Sequence, residues 1–249
     1  MTQDKIIRLA DVSKSFAGKA VLREASLEVG RGELLALLGA SGSGKSVTLK
    51  TINGLICPDS GAIEVLGNPV SEMGEAELVP LRRRVSYLFQ GGALFDSMNV
   101  FDNVAFPLRE HLDLSPRDLA ERVRSLLAMV HLEDVEQLQP SELSGGMRKR
   151  VAVARALALD PEIILYDEPT TGLDPVTSKA IAGLILDLDR RLDVTSVVVT
   201  HDILLVSQVA ERVVFLEKGN FIFSGSVAEA RRQGPAVVRE FFAAGGSDA

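Results

Sequence analysis

The chain has 249 residues, which permits one large domain or two small ones, and at 46% hydrophobic and 24% charged it has an ordinary globular composition. A formal charge of −7 argues against generic nucleic-acid binding, which favours a basic surface. One cysteine, Cys57, excludes an internal disulfide and suits a reducing compartment, and neither a signal-like segment near Asp4 and Lys5 nor an apolar stretch long enough to cross a bilayer is expected.

In chain order, Ile6 to Val12 and Val21 to Val29 alternate in character and predict two strands. The link between them, Ser13 to Gly18, is turn-rich and carries Phe16. That ring either stacks on a purine base or packs into the core, the usual fate of a phenylalanine. Leu34 to Leu38 is an apolar run with the length of one buried strand. It leads into Gly39-Ala40-Ser41-Gly42-Ser43-Gly44-Lys45-Ser46, after which Val47 to Ile56 has helical spacing. Strand, G-x-x-x-x-G-K-S and helix start together predict a phosphate-binding loop. Glycines at 39, 42 and 44 let the backbone turn tightly and bring its N–H groups to a phosphate. The helix start adds unpaired N–H groups and the positive end of its dipole. Lys45 is expected to reach the β- and γ-phosphates, and the Ser46 hydroxyl to ligate Mg²⁺.

Further on, Cys57 precedes Pro58 at the expected helix end and reads as structural filler. Ala62 to Leu66 and Val85 to Phe89 predict strands, the second ending at Gln90-Gly91-Gly92, where a glutamine has room to move. The basic runs Arg82-Arg83-Arg84 and Arg148-Lys149-Arg150 read as solvated faces. From Val100 to about Gln139 the period becomes helical, with a helix start at Ser115-Pro116-Arg117-Asp118 and Leu119, Val123, Leu126, Leu127 and Val130 on one face. This predicts a helical insertion between two α/β halves. Leu143-Ser144-Gly145-Gly146-Met147 then opens the amphipathic run Val151 to Leu159, with Ser144 as cap. It reads equally as a second anion site or as an ordinary capped turn.

Ile163 to Tyr166 predicts a buried strand that delivers Asp167 and Glu168 to its end. Two carboxylates there are costly unless a metal or polar substrate meets them. Beside a phosphate loop, the first is the expected partner of Mg²⁺ through water, and the second is placed to take a proton from an attacking water. Asp174-Pro175 caps a helix whose Ile181, Leu184, Ile185 and Leu188 face the core. Thr195 to Thr200 is another buried strand, ending at His201-Asp202. His111 and His131 read as surface or packing residues, whereas His201 sits at the edge where α/β ligands bind, positioned to hydrogen-bond a terminal phosphate. Val213 to Leu216 and Phe221 to Ser224 flank a hairpin-like turn at Lys218-Gly219-Asn220. The tail from Pro235 holds an apolar cluster, Val237, Val238, Phe241 and Phe242, expected to dock on a neighbouring subunit, before a flexible Gly-Gly-Ser end.

Taken together and in this order, these residues resemble the ATPase subunits of ABC transporters over nearly the whole chain, most specifically in LSGGM followed closely by IILYDEP. The resemblance implies a P-loop NTPase, RecA-like α/β core (about 6–92 and 160–232), an antiparallel β subdomain and an inserted α-helical subdomain (about 95–158). The ATPase domain would span 6–239, with 235–249 as a tail. It further implies a Walker A loop at Gly39 to Ser46 with Val47 behind it, a catalytic and metal-contacting Q-loop glutamine at Gln90, and the signature at Ser144 to Met147. Asp167 and Glu168 correspond to the Walker B pair, Asp174 to the D-loop aspartate and His201 to the switch histidine. Phe16 falls where the family usually has an adenine-stacking tyrosine, Met147 replaces the usual signature glutamine, and Tyr166 is an unusual polar-tipped residue before Asp167.

A narrower resemblance lies in LFQGGALFDSMNVFDNVAFPLREH and LSGGMRKRVAVARALALDPEIILYDEPTTGLDPVTS, which look like the ATPases of MCE-type phospholipid transporters. It implies ATP and Mg²⁺, a head-to-tail homodimer, an integral-membrane permease, a periplasmic MCE lipid-binding protein and often a small STAS-domain protein. The site of action would be the cytoplasmic face of the inner membrane of a Gram-negative bacterium. Rival readings are an ABC ATPase for amino acids or drugs, a soluble ABC-type machine on DNA or ribosomes, and a nucleotide-sensing adaptor without turnover. The acidic charge disfavours the second and intact Glu168 and His201 the third; a GTPase lacks support because no N-K-x-D motif occurs.

Overall fold

The computed structural model describes residues 4–245. The chain opens with β1 (Lys5–Phe16) and β2 (Lys19–Gly30), a long antiparallel hairpin, then β3 (Leu34–Leu38) and α1 (Lys45–Ile52). Next come β4 (Ser60–Val65), β5 (Asn68–Pro69), α2 (Glu75–Arg84) and β6 (Val85–Leu88). A helical stretch follows, α3 (Val100–His111), α4 (Pro116–Met129) and α5 (Gly145–Ala156). The last third alternates through β7 (Ile163–Asp167), α6 (Pro175–Leu192), β8 (Thr195–Val199), α7 (Ile203–Val209) and β9 (Arg212–Glu217). It ends with β10 (Asn220–Gly225), α8 (Val227–Gln233) and α9 (Ala236–Gly245).

These strands form two sheets. One is antiparallel, in the order β2-β1-β4-β5; the other runs β10-β9-β3-β8-β7-β6 and is parallel from β9 to β6, with β10 antiparallel at its edge. Every residue of β3, β7 and β8 is buried, as expected of parallel strands covered on both faces. Side chains alternate across a strand, so the large sheet divides two cores. Leu34, Ala36, Leu38, Ile164, Tyr166 and Val198 face the core shared with α3 to α9. Leu35, Leu37, Ile163, Leu165, Val197 and Val199 face the one shared with α1 and the antiparallel sheet. The register sets Leu37 beside Val199 and Asp167 beside the same Val199, so β3, β7 and β8 end together. Whatever follows these strands therefore meets at one sheet edge.

The structure revises several local expectations. The first strand continues through Ser13 to Phe16, because Lys14, Ser15 and Phe16 stay paired with β2 and Asp59 anchors them. Asp59 accepts from Lys14 Nζ at 2.7 Å and from the Ser15 amide at 2.6 Å, leaving only Ala17 and Gly18, at φ 47° and 79°, to make the turn. Helix α1 stops at Ile52, so Cys57 is an exposed loop residue and not filler at a helix end. Helix α2 has no periodic signature in the sequence, because it buries only Leu78 and Leu81. Its Arg82 is not merely a solvated charge, since the guanidinium donates to the Asn53 and Gly54 carbonyls at the end of α1.

The tail has a defined structure. It forms α9, which folds back on its own chain, with Val238 and Phe242 buried and the Phe241 ring 5.2 Å from that of Phe215 in an edge-on contact. Of the apolar cluster, Val238 and Phe242 are thus buried within the chain, while Val237 and Phe241 are partly buried against the same core. Gly246 and Ser247 of the expected flexible end lie outside the described residues.

Packing of α6 on β8 leaves one carboxylate in a poor place. Burial pushes Asp189 up to about 6, with Glu211 and Asp193 adding to the shift while a 3.0 Å hydrogen bond from Ser196 opposes it. Its unfolded value is near 3.8, so between the two the folded chain holds the proton more tightly. Stability therefore falls as pH rises through that window and stays lower above it. Asp189→Asn keeps an acceptor for Ser196 and is expected to raise Tm at neutral pH, with the gain shrinking as pH drops toward 4. A thermal-denaturation series showing a pH-independent difference would contradict this.

Candidate active site

The loop after β3 is built by its glycines. Gly39, Gly42 and Gly44 have φ of 148°, 74° and 113°, which a side chain would resist. At Gly39 space also forbids one: a Cβ would lie 2.2 Å from the Leu216 carbonyl oxygen on β9 and 2.8 Å from Ser43 Oγ. The loop wraps the end of its own helix, with Lys45 Nζ donating to the Gly39 and Ala40 carbonyls at 2.9 and 3.1 Å. Burial lowers the Lys45 pKa, against the pull of Glu168 and Asp167.

A cavity of about 600 Å³ lies over the loop, with Gly39, Lys45, Ser46, Val47, Gln90, Glu168 and His201 in its wall. Asp167, at the end of β7, accepts from Ser46 Oγ at 2.7 Å and from the Tyr87 hydroxyl at 2.7 Å. Burial, then the bond to Asp167, pushes the Tyr87 phenol above its ordinary pKa, so it stays a donor. A hydroxyl, a carboxylate and the Gln90 amide are oxygen donors of the kind that suit a hard cation, and Mg²⁺ fits them in preference to a softer metal. Glu168 stands at φ 51°, a left-handed conformation unusual for a side-chain-bearing residue, which costs on the order of 1 kcal/mol or more. Its amide is tied to the Val199 carbonyl at 2.9 Å. Its Oε2 accepts from Thr171 Oγ1 at 3.0 Å and lies 2.9 Å from His201 Nδ1. Glu168 is nearly enclosed while the histidine ring is 63% exposed, so His201 is the open member of the pair.

Of the expected site residues, Gly39 to Val47, Gln90, Asp167, Glu168 and His201 converge here, with Ser43 inside the loop itself. Phe16 does not: its ring is 43% exposed, off the cavity wall, with Lys14 Nζ 5.5 Å from its centroid. The aromatic that does line the cavity is Phe241 of α9, from the apolar cluster of the tail. Ser144, Gly145, Gly146 and Asp174 form a separate, largely exposed patch away from the loop. Ser144 and Asp174 cap α5 and α6, accepting from Met147 N at 3.2 Å and from Val176 N and Thr177 N at 3.0 Å. Gly146 is close against α6, where a Cβ would lie 2.5 Å from Thr177 Cγ2. One chain thus carries a phosphate loop on one surface and a capped glycine-rich helix start on another. Tyr87, Thr171 and Lys149 were missed. The first two have no motif of their own, and Lys149, expected in a solvated basic run, is buried.

A parallel sheet with a glycine loop, a lysine, a hydroxyl and a strand-end carboxylate pair at one edge defines a nucleoside-triphosphate hydrolase of the phosphate-loop class. A family described as ABC transporter matches residues 22–171, more than half of the chain. The chain belongs to that family, and it is an ATPase. It is 42% identical over 95% of its length to the Escherichia coli "Intermembrane phospholipid transport system ATP-binding protein MlaF", covering 88% of that protein. It is 41% identical over 94% of its length to the Mycobacterium tuberculosis "Probable ribonucleotide transport ATP-binding protein mkl", covering 66% of it. A solved ATP-binding cassette, described as the dimeric structure of a post-hydrolysis state bound to ADP and Pi, superposes with a TM-score of 0.83. It is 32% identical, covering 89% of this chain and 98% of the other.

Proposed function

We propose that this ATPase powers the movement of phospholipid between the inner and outer membranes of a Gram-negative bacterium, working at the cytoplasmic face of the inner membrane. The observation that carries the cargo is the 42% identity, over 95% of the chain, to a phospholipid-transport ATP-binding protein. The partners that follow are a membrane permease, a periplasmic MCE lipid-binding protein and a small STAS-domain protein. Two copies act head to tail: the loop Gly39 to Ser46 of one holds the phosphates, and Ser144, Gly145 and Gly146 of the other cover them, with Asp174 beside that patch. That Ser144, Gly145 and Gly146 lie outside the wall of the cavity over Gly39 to Ser46 of their own chain supports this.

In the reaction, Lys45 and the loop amides hold the β- and γ-phosphates, and Ser46, Gln90 and Asp167 are the residues that would hold Mg²⁺. When bound, Mg²⁺ neutralises charge building on the phosphate oxygens. Glu168 takes a proton from water as the water oxygen attacks the γ-phosphorus. The bond to the β-phosphate oxygen breaks, and ADP and phosphate separate. His201 leaves Glu168 to orient the γ-phosphate and the water. ATP thus favours a closed pair and hydrolysis removes that preference, which the permease feels as opening and closing.

The test of cargo is purification of the native membrane complex, followed by mass spectrometry of its proteins and lipids and reconstitution with fluorescent phospholipid. A lipid-binding periplasmic partner and ATP-dependent phospholipid movement are expected. Association with a soluble-substrate receptor, and no lipid movement, would replace the cargo with another and leave the ATPase untouched.

A further inference from the structure

The chain has a buried cation that the hydrolytic scheme leaves unused. Lys149 sits one turn into α5, on the same helix that Ser144 caps, and its residue is only 6% exposed. No carboxylate oxygen lies within ion-pair distance of it among the described residues; its Nζ instead donates to two backbone carbonyls. One is that of Gln90, and the other, at 3.4 Å, is that of Glu168. Burial depresses its pKa, and the charges of Glu168 and Asp167 work against that shift. A buried ammonium is expensive unless its donors are satisfied, so the two carbonyls are a needed part of its environment.

Those carbonyls belong to the two segments that must be placed well for hydrolysis. Glu168 already sits in a strained left-handed conformation, held on one side by its amide bond to Val199 and on the other by this lysine. Gln90 stands in the loop after β6, where its carbonyl accepts from the same Lys149 Nζ that donates to the Glu168 carbonyl. A single side chain therefore spans three elements: α5, the Gln90 loop and the end of β7. We infer that Lys149 is a positioning residue, which fixes the Glu168 and Gln90 backbones relative to each other and to the helix carrying Ser144, and so sets the aim of the Glu168 carboxylate. This rests on the reading of Glu168 as the base.

The inference makes a specific demand on kinetics. A misplacement of about 1 Å at a reacting group costs on the order of 100-fold in rate, so kcat should suffer while nucleotide binding does not. In Lys149→Met and Lys149→Gln, kcat for ATP is expected to fall roughly 10- to 100-fold, with KM and the affinity for a fluorescent ATP analogue changed less than about twofold. Lys149→Arg, which retains a donor to both carbonyls, should recover most of kcat. Hydrogen exchange should quicken in the segments around 90–92 and 168–171 of Lys149→Met at a temperature well below its Tm. The inference is overturned if kcat in Lys149→Met and Lys149→Gln stays within about twofold of the parent. It is also overturned if binding falls in step with kcat, the mark of a partly unfolded sample, or if Lys149→Arg is as slow as Lys149→Met. Glu168→Gln separates this from the reading beneath it: a fully active Glu168→Gln removes the base itself, whatever Lys149 does.

Discussion

Glu168→Gln is expected to bind ATP as the parent does and to lose at least about 100-fold in turnover, the scale of a missing general base. The substitution keeps the shape of the side chain. An amide oxygen can still accept from Thr171 Oγ1, which now donates to Glu168 Oε2 at 3.0 Å, and the backbone amide keeps its bond to Val199. What disappears is proton affinity, and with it the route for the proton of the attacking water. Phosphate release measured beside equilibrium binding of a fluorescent ATP analogue separates the two effects. With hydrolysis blocked and binding intact, ATP should also hold the closed pair, seen as a shift to dimer on a sizing column run in ATP. Undiminished phosphate release by this variant would remove Glu168 from its role.

Gly39→Ala carries the second large effect, on the loop's shape. The new methyl carbon would lie 2.2 Å from the Leu216 carbonyl oxygen, a backbone atom of a central strand that cannot step aside. The φ of 148° adds strain of its own. The loop must shift, and the amides aimed at the phosphates shift with it. The expected result is a loss of ATP affinity of about 100-fold or more, together with destabilisation of several kcal/mol, in the range seen for overpacked or strained sites. Gly67→Ala is the matched control. Gly67 also has a positive φ, 75°, but a Cβ there meets nothing within 4 Å, and it lies away from the cavity. That variant should lose only the backbone strain of a left-handed alanine, about 1–2 kcal/mol, and bind ATP normally. Equal behaviour of the two variants in calorimetry and nucleotide titration would mean that the close approach to Leu216 does not shape the site.

These two predictions stand on parts of the molecule legible in the chain. Gly39 to Ser46 announces itself because the loop's job is done by consecutive backbone amides, and the glycines that permit it are consecutive in sequence. Asp167, Glu168 and His201 were legible for a related reason: each lies at or within two residues of the end of a fully buried strand, and strand ends at one edge of a parallel sheet are where ligands sit. Phe16 was open between a base and the core, and pairing of β1 with β2 up to Lys19 decides against the core by leaving the ring at the exposed hairpin tip.

The sequence alone determined what is local: which strands are buried on both faces, where the phosphate loop turns, and which residues cap α4, α5 and α6. Those follow from side-chain period, glycine's freedom and one hydroxyl or carboxylate reaching amides two or three residues on. Tertiary structure alone decided which neighbours meet. Tyr87 reaches Asp167 because β6 lies beside β7, Lys149 turns inward because α5 packs over both the Gln90 loop and the end of β7, and α9 spends its apolar face on its own core. Contacts between residues far apart in the chain depend on strand order and helix packing, and no local pattern of residues encodes those by itself.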